Sequence, residues 1–261
     1  MAFISKTYQQ EFQTILRTVQ DETSDPLVVN VIGKLPIPRL ALALQYLYFK
    51  EQYTPFDAIR DYCISTVLIQ MGLNVHNEVP SGSETPSSSV HDRYQQFQVL
   101  AGDLYSGRFY QILAYRGDTR IIRFLSDAVS VINQARTNLY DLFQNNELTV
   151  ALYVQEMEKI GTALIKAWFQ YERKHEGTKW ESVVSNLLTA EKLLSDSNDT
   201  VPVHWQPSVV SQLKQRAMQL IAHSRSLVQE WSTLEIKREL EHLIDVSFPG
   251  TTQLGKTAED Y

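Results

Sequence analysis

The chain has 261 residues, with 24 Lys plus Arg against 30 Asp plus Glu, one Cys and a net charge of -6. At 43% hydrophobic and 10% aromatic residues it is long and apolar enough for a packed core, which excludes global disorder. The acidic balance argues against a nucleic-acid partner, because phosphate-binding domains gather Lys and Arg onto a basic face. Cys63, being alone, cannot form an internal disulfide or a thiolate cluster, which fits a reducing compartment.

The N-terminal Met1-Ala2-Phe3-Ile4-Ser5-Lys6 runs directly into Tyr8-Gln9-Gln10-Glu11, so no apolar signal core is expected. No apolar run approaches the roughly 18 residues that span a bilayer. The expected location is cytoplasmic, and contact with a membrane surface stays open.

Along the chain the apolar residues recur at helical spacing. After Pro36 and Pro38, Leu40, Ala43, Leu44 and Leu47 follow the i, i+3, i+4, i+7 template of an amphipathic helix. Pro55 opens a second helix at a first-turn position. Its stripe of Phe56, Ile59, Cys63, Val67 and Met71 makes Cys63 a small core residue. Residues 80–89 hold five Ser, two Pro and one Gly and predict a mobile loop. Phe97, Leu100, Ala101 and Leu104 repeat the helical template, and Ile121, Leu125, Ala128, Val129, Ile132, Leu139 and Leu142 extend it over a long helix. Residues 196–207 read as another loop. Val210, Leu213, Ala217, Leu220, Ile221, Leu227 and Val228 form the next stripe. Ser232-Thr233-Leu234-Glu235 has the capping-box pattern and predicts a break after Trp231. No segment alternates with the period of a strand. The expected fold is all-α, a single bundle of long, mostly antiparallel helices over residues 1–247 with a flexible tail over 248–261.

Two Glu-x-x-His pairs, Glu172 with His175 and Glu239 with His242, could supply a di-metal site in such a bundle, since residues three apart share a helix face. Both lie in charge runs, which ordinarily face solvent. His91-Asp92 could serve a metal-dependent phosphohydrolase, with His76 as the one nearby candidate for a further ligand. Following a Ser-rich loop, Asp92 reads more simply as a cap or first-turn acid facing the helix dipole. A metal-dependent bundle enzyme is therefore the alternative reading. No Gly-rich phosphate loop or nucleophile elbow is present.

The segment Val99-Leu100-Ala101-Gly102-Asp103-Leu104-Tyr105-Ser106-Gly107-Arg108-Phe109-Tyr110 carries the most information. It resembles the Leu-Ala-Gly-Asp helix of the all-α trans-isoprenyl diphosphate synthases. Val67 to Val79, ending in His76-Asn77-Glu78, resembles the preceding helix of that family, which ends in His-Asp-Asp. Together with Ile121-Ile122-Arg123 and Asn138-Leu139-Tyr140-Asp141, and over about residues 40 to 195, the chain is similar to component I of two-component heptaprenyl diphosphate synthases, the small partner of a heteromeric enzyme.

The resemblance also implies what is missing. Active members of the family hold magnesium on two Asp-Asp-x-x-Asp clusters, because a bridging cation neutralises the departing diphosphate. The first cluster corresponds here to Asn77, Glu78 and Ser81, and the second to Glu191, Lys192 and Ser195. The family's Arg-Arg-Gly has no counterpart in residues 83–89, which contain no basic residue, and its Lys-Thr pair becomes Gly161-Thr162. The resemblance therefore implies a required but non-catalytic subunit. It would hold no cofactor of its own; the catalytic component II would supply the magnesium. Gly72 and Leu73 correspond to positions that face the growing chain in the family, and His76 and Asp103 are retained beside them. Phe97, Tyr105, Phe109 and Tyr110 are the candidates for the core or for an interface with the partner. The polyprenyl diphosphate product would be the small-molecule partner.

Overall fold

The computed structural model describes residues 3–77, 89–172, 177–198 and 205–251. The described residues form ten helices and no strand. They divide into two compact units, Lys6–Ile122 on one side and Met1–Ser5 with Arg123–Tyr261 on the other.

The Lys6–Ile122 unit contains α1 (Gln9–Thr23), α2 (Pro26–Ile32), α3 (Arg39–Glu51), α4 (Phe56–Asn77) and α5 (Ser89–Arg116). Helix α2, which periodicity did not predict, is started by Asp25, whose Oδ1 accepts from the N–H groups of Leu27 and Val28 at 3.0 and 3.3 Å, with Pro26 in the first turn. The amphipathic expectation for α3 is corrected, because every residue from Leu42 to Phe49 is buried. Its one buried polar side chain, Gln45, donates from Nε2 to Thr66 Oγ1 at 2.9 Å, so no amide is left unpaired. On α4 the expected stripe is buried from Ile59 through Cys63 and Val67 to Met71, and burial pushes the Cys63 thiol up.

Helices α4 and α5 pack closely. A Cβ at Gly72 would lie 3.1 Å from the Gly102 carbonyl oxygen, and one at Gly102 would fall 2.6 Å from His76 Cδ2. Glycine at 72 lets α4 approach the α5 backbone, and glycine at 102 leaves room for the His76 ring, which gives the glycine of Leu-Ala-Gly-Asp a packing reason. The far ends of this pair are fastened by Arg116, which donates from Nη1 to Asp61 Oδ2 at 2.9 Å and from Nε to Asp118 Oδ2 at 3.2 Å. The Tyr62 hydroxyl donates to the same Asp118 oxygen at 2.7 Å.

The other unit contains most of α6 (Thr119–Gln144) with α7 (Val150–Glu172), α8 (Gly177–Asn198), α9 (Pro207–Gln229) and α10 (Leu234–Ser247). The direction of each neighbour follows from side-chain contacts. Tyr153 meets Asp196 and Lys166 approaches Glu181, so α7 and α8 are antiparallel. Lys179 meets Glu230 and Asn186 meets His223, so α8 and α9 are antiparallel as well. The break after Trp231 is present, yet no side-chain cap forms, because α10 takes Thr233 as its N-cap and that shifts the Ser-x-x-Glu register by one. Trp231 is instead buried edge-on against Trp180, with ring centroids 5.0 Å apart.

Residues of the N-terminus belong to this unit. Ile4 is buried, and Ser5 donates from its backbone N–H to Glu239 Oε2 at 2.9 Å and from its hydroxyl to Glu239 Oε1. Of the expected tail, Phe248 is buried and the Thr251 hydroxyl accepts from Arg225 Nη2 at 3.2 Å; residues 252–261 lie outside the described part. The predicted loop over 80–89 likewise falls mostly on residues that are not described, as does part of 196–207.

Candidate functional site

The second cluster lies on α8, where an apolar face of Leu187, Leu188, Ala190 and Leu193 is buried in the unit. Glu191 and Ser195 point away from that face and are exposed. Lys192 donates from Nζ to Asp196 Oδ1 at 2.8 Å, one helical turn on, and the Tyr153 hydroxyl of α7 donates to Asp196 Oδ2 at 2.6 Å. Both carboxylate oxygens of Asp196 are thereby taken. The Tyr153 ring packs edge-on against Trp205, and burial together with the Asp196 hydrogen bond raises its hydroxyl above the ordinary tyrosine range.

Glu191 keeps solvent on one side, but crowding by protein elsewhere pushes its carboxyl up to about 7, with the nearby Lys192 pulling the other way. A carboxyl that favours its proton is a poor ligand for a hard cation, and an ammonium one residue on repels one. These residues do not fit magnesium. Among the described residues, no three His, Cys, Asp or Glu side chains gather into a group that could hold a metal. On α7, Gly161 offers no cation, and a Cβ placed there would meet Leu188 at ordinary contact distance, while the buried Thr162 hydroxyl donates to the Glu158 carbonyl at 2.7 Å.

At the first cluster, Asn77 closes α4, and Glu78 and Ser81 lie outside the described residues. Just before it, Gly72 sits in the α4–α5 seam, Leu73 is buried, and half-buried His76 approaches exposed Asp103 with Nε2 to Oδ1 at 3.6 Å.

The aromatic candidates separate. Tyr105 and Phe109 are buried within the chain, and burial raises the Tyr105 hydroxyl. Tyr110 is 45% exposed with its ring 4.1 Å from that of Phe109, and Phe97 is half-buried. The expected buried stripe of Phe97, Leu100, Ala101 and Leu104 is corrected as well. The inward face is Gln98, Ala101, Tyr105, Phe109 and Leu113, and Leu100 is 61% exposed.

For the di-metal alternative, Glu239 is already committed to Ser5, and His175 is not described. The side chains of His91 and Asp92 are likewise outside the described part. The feature that sequence reading missed is the Tyr153–Asp196–Lys192 triad. Its legible half was the i, i+4 spacing of Lys192 and Asp196.

The backbone matches a decaprenyl diphosphate synthase from Rhodobacter capsulatus with a TM-score of 0.67, over 93% of this chain and 96% of that one, at 14% identity. A polyprenyl synthase from Caulobacter crescentus CB15, solved with calcium and isoprenyl diphosphate, matches with a TM-score of 0.68 over 95% and 98% of the two chains at 12% identity. These likenesses define the class: the fold is that of the all-α isoprenyl diphosphate synthases. Within that class, residues 36–246 match the heptaprenyl diphosphate synthase (HEPPP synthase) subunit 1 family, and the chain belongs to it. A stretch of 79 residues is 40% identical to heptaprenyl diphosphate synthase component 1 of Geobacillus stearothermophilus, and this match covers 30% of the chain and 33% of that relative. The matched stretch thus spans about a third of the relative's length.

Proposed function

We propose that this chain is the non-catalytic, required subunit of a heteromeric all-trans-heptaprenyl diphosphate synthase. The catalytic component II supplies both aspartate clusters and magnesium, and the complex elongates farnesyl diphosphate with isopentenyl diphosphate for the menaquinone side chain. The observation that carries the reading is on α8, where Lys192 and Asp196 neutralise each other and Glu191 alone remains of the second cluster. The family membership supports the subunit role.

A physical argument gives the subunit something to do. Each added isoprene unit brings five carbons, whose burial is worth about 4 kcal/mol at roughly 0.8 kcal/mol per methylene. A product that lengthens step by step needs apolar surface at each step, and a second helical subunit extends or closes the tunnel that provides it. The outer face of α5 supports contact with such a partner, because Leu100 and Tyr110 are exposed and apolar residues are enriched at the centre of stable interfaces. The complex works in the cytoplasm, and its lipid product accounts for any contact with a membrane surface.

Mixing purified chains tests the proposal. The expected result is no consumption of isopentenyl diphosphate by this chain alone, and seven-unit product only when component II is added. Turnover by this chain alone, or the same product at the same rate from component II alone, overturns it.

A further inference from the structure

Gly107 lies well inside α5, a helix of 28 residues, and nothing in the described chain accounts for it. Glycine weakens a helix interior relative to alanine. At Gly72 and Gly102 the missing side chain makes room for a carbonyl and for the His76 ring. A Cβ at Gly107 would meet no atom within 4 Å, and its backbone does not have the left-handed φ that favours glycine. The residue is exposed, so a neighbour that uses the missing side chain comes from outside the chain. We propose, resting on the subunit reading above, that Gly107 is the point of closest approach for one helix of component II, and that this helix carries a lysine or arginine opposite Asp103.

The first support is spacing. Leu100, Asp103, Gly107, Tyr110 and Ala114 are all exposed and follow one another at intervals of three, four, three and four residues. This is the spacing of the narrow seam along which two helices pack side by side. Glycine and alanine on the seam let a second backbone come close, while Leu100 and Tyr110 supply the apolar surface that interface centres favour.

The second support is charge. Asp103 is the one carboxylate on the seam; its side chain is 69% exposed, and the ion-pair contact it makes is the 3.6 Å approach of His76 Nε2. A helix laid over the seam takes that carboxylate out of water, which is costly unless a cation comes with it. Helix α5 cannot bring one from a second copy. Between Tyr94 and Tyr115 its only cation is Arg108, which is turned toward Glu22 at 3.8 Å. Two copies crossing antiparallel at Gly107 would set Asp103 against Gln111 by two-fold symmetry, and a parallel pair would set it against its twin. The charge on the seam therefore selects a different chain, one that supplies the cation.

Calorimetric titration of component II with the full chain, and with Gly107→Leu and Asp103→Lys, tests this. Gly107→Leu should melt about 2–4 °C above the parent as a free chain, because it removes a helix-weakening glycine from open space. Each variant should nonetheless bind about tenfold more weakly or worse, the first by obstructing the approach and the second by setting like charges together. Parent affinity in either variant overturns the proposal and leaves the subunit reading intact, whereas absence of binding by the parent overturns both. A parent that is dimeric by itself and is split into monomers by Gly107→Leu gives the seam to a second copy and also overturns the proposal.

Discussion

At Glu191 a single retained carboxylate reports on its surroundings. Its ordinary value of 4.5 rises to about 7, chiefly because protein displaces water around the charged form. A group that holds its proton more tightly when folded contributes stability that is complete below about 4.5 and is lost as the pH climbs to about 7. Solvent on the exposed side makes the slope shallow. Thermal melts of the parent and Glu191→Gln across that window should therefore diverge, with the variant gaining on the parent as the pH rises. Parallel curves would show that Glu191 titrates as an ordinary surface carboxylate.

Among the helices, what could be read from the sequence depended on how many faces each one buries. On α6 and α9 one stripe is apolar, and periodicity located the buried residues from Ile121 to Ile132 and Leu213 to Val228; on α4 the predicted stripe from Ile59 to Met71 is buried, but so is every residue from Tyr62 to Ile69, so the period understates its burial. On α5 apolar residues lie on two faces, so the template fitted Phe97, Leu100, Ala101 and Leu104 although the core takes Ala101, Tyr105 and Phe109. The second apolar face is exposed at Leu100 and Tyr110, and pattern alone cannot distinguish it from the buried one. The family-like positions were legible because residue type carried them, whereas the Tyr153–Asp196 bond joins residues 43 apart and leaves no local signal. The α9–α10 break shows the same limit. The capping pattern placed the break, but a buried tryptophan pair holds it. Trp231→Ala should cost about 3–5 kcal/mol, as large-to-small core changes do. Thr233→Ala, which removes no cap bond, should stay within about 0.5 kcal/mol in denaturant melts. A large loss in the threonine variant would return the capping box to the explanation.

For the whole chain, the decisive feature is that one unit is assembled from both ends of the sequence. Met1–Ser5 joins Arg123–Tyr261, while Lys6–Ile122 forms the other unit, so N-terminal residues belong with the 123–261 helices. The tie is specific. Glu239 is 3% exposed and both its oxygens accept from Ser5, while the neighbouring Ile4 is 1% exposed. Removing residues 1–5 strands a buried carboxylate and uncovers the site of Ile4, which should cost about 2–5 kcal/mol. Glu239→Ala alone should cost about 1–3 kcal/mol by leaving the Ser5 donors unpaired. The two changes remove the same hydrogen bonds, so the double variant should fall short of the sum by about 1 kcal/mol or more. Simple additivity in equilibrium melts would mean that Ser5 and Glu239 do not hold each other, and that burial of Ile4 alone anchors the N-terminus.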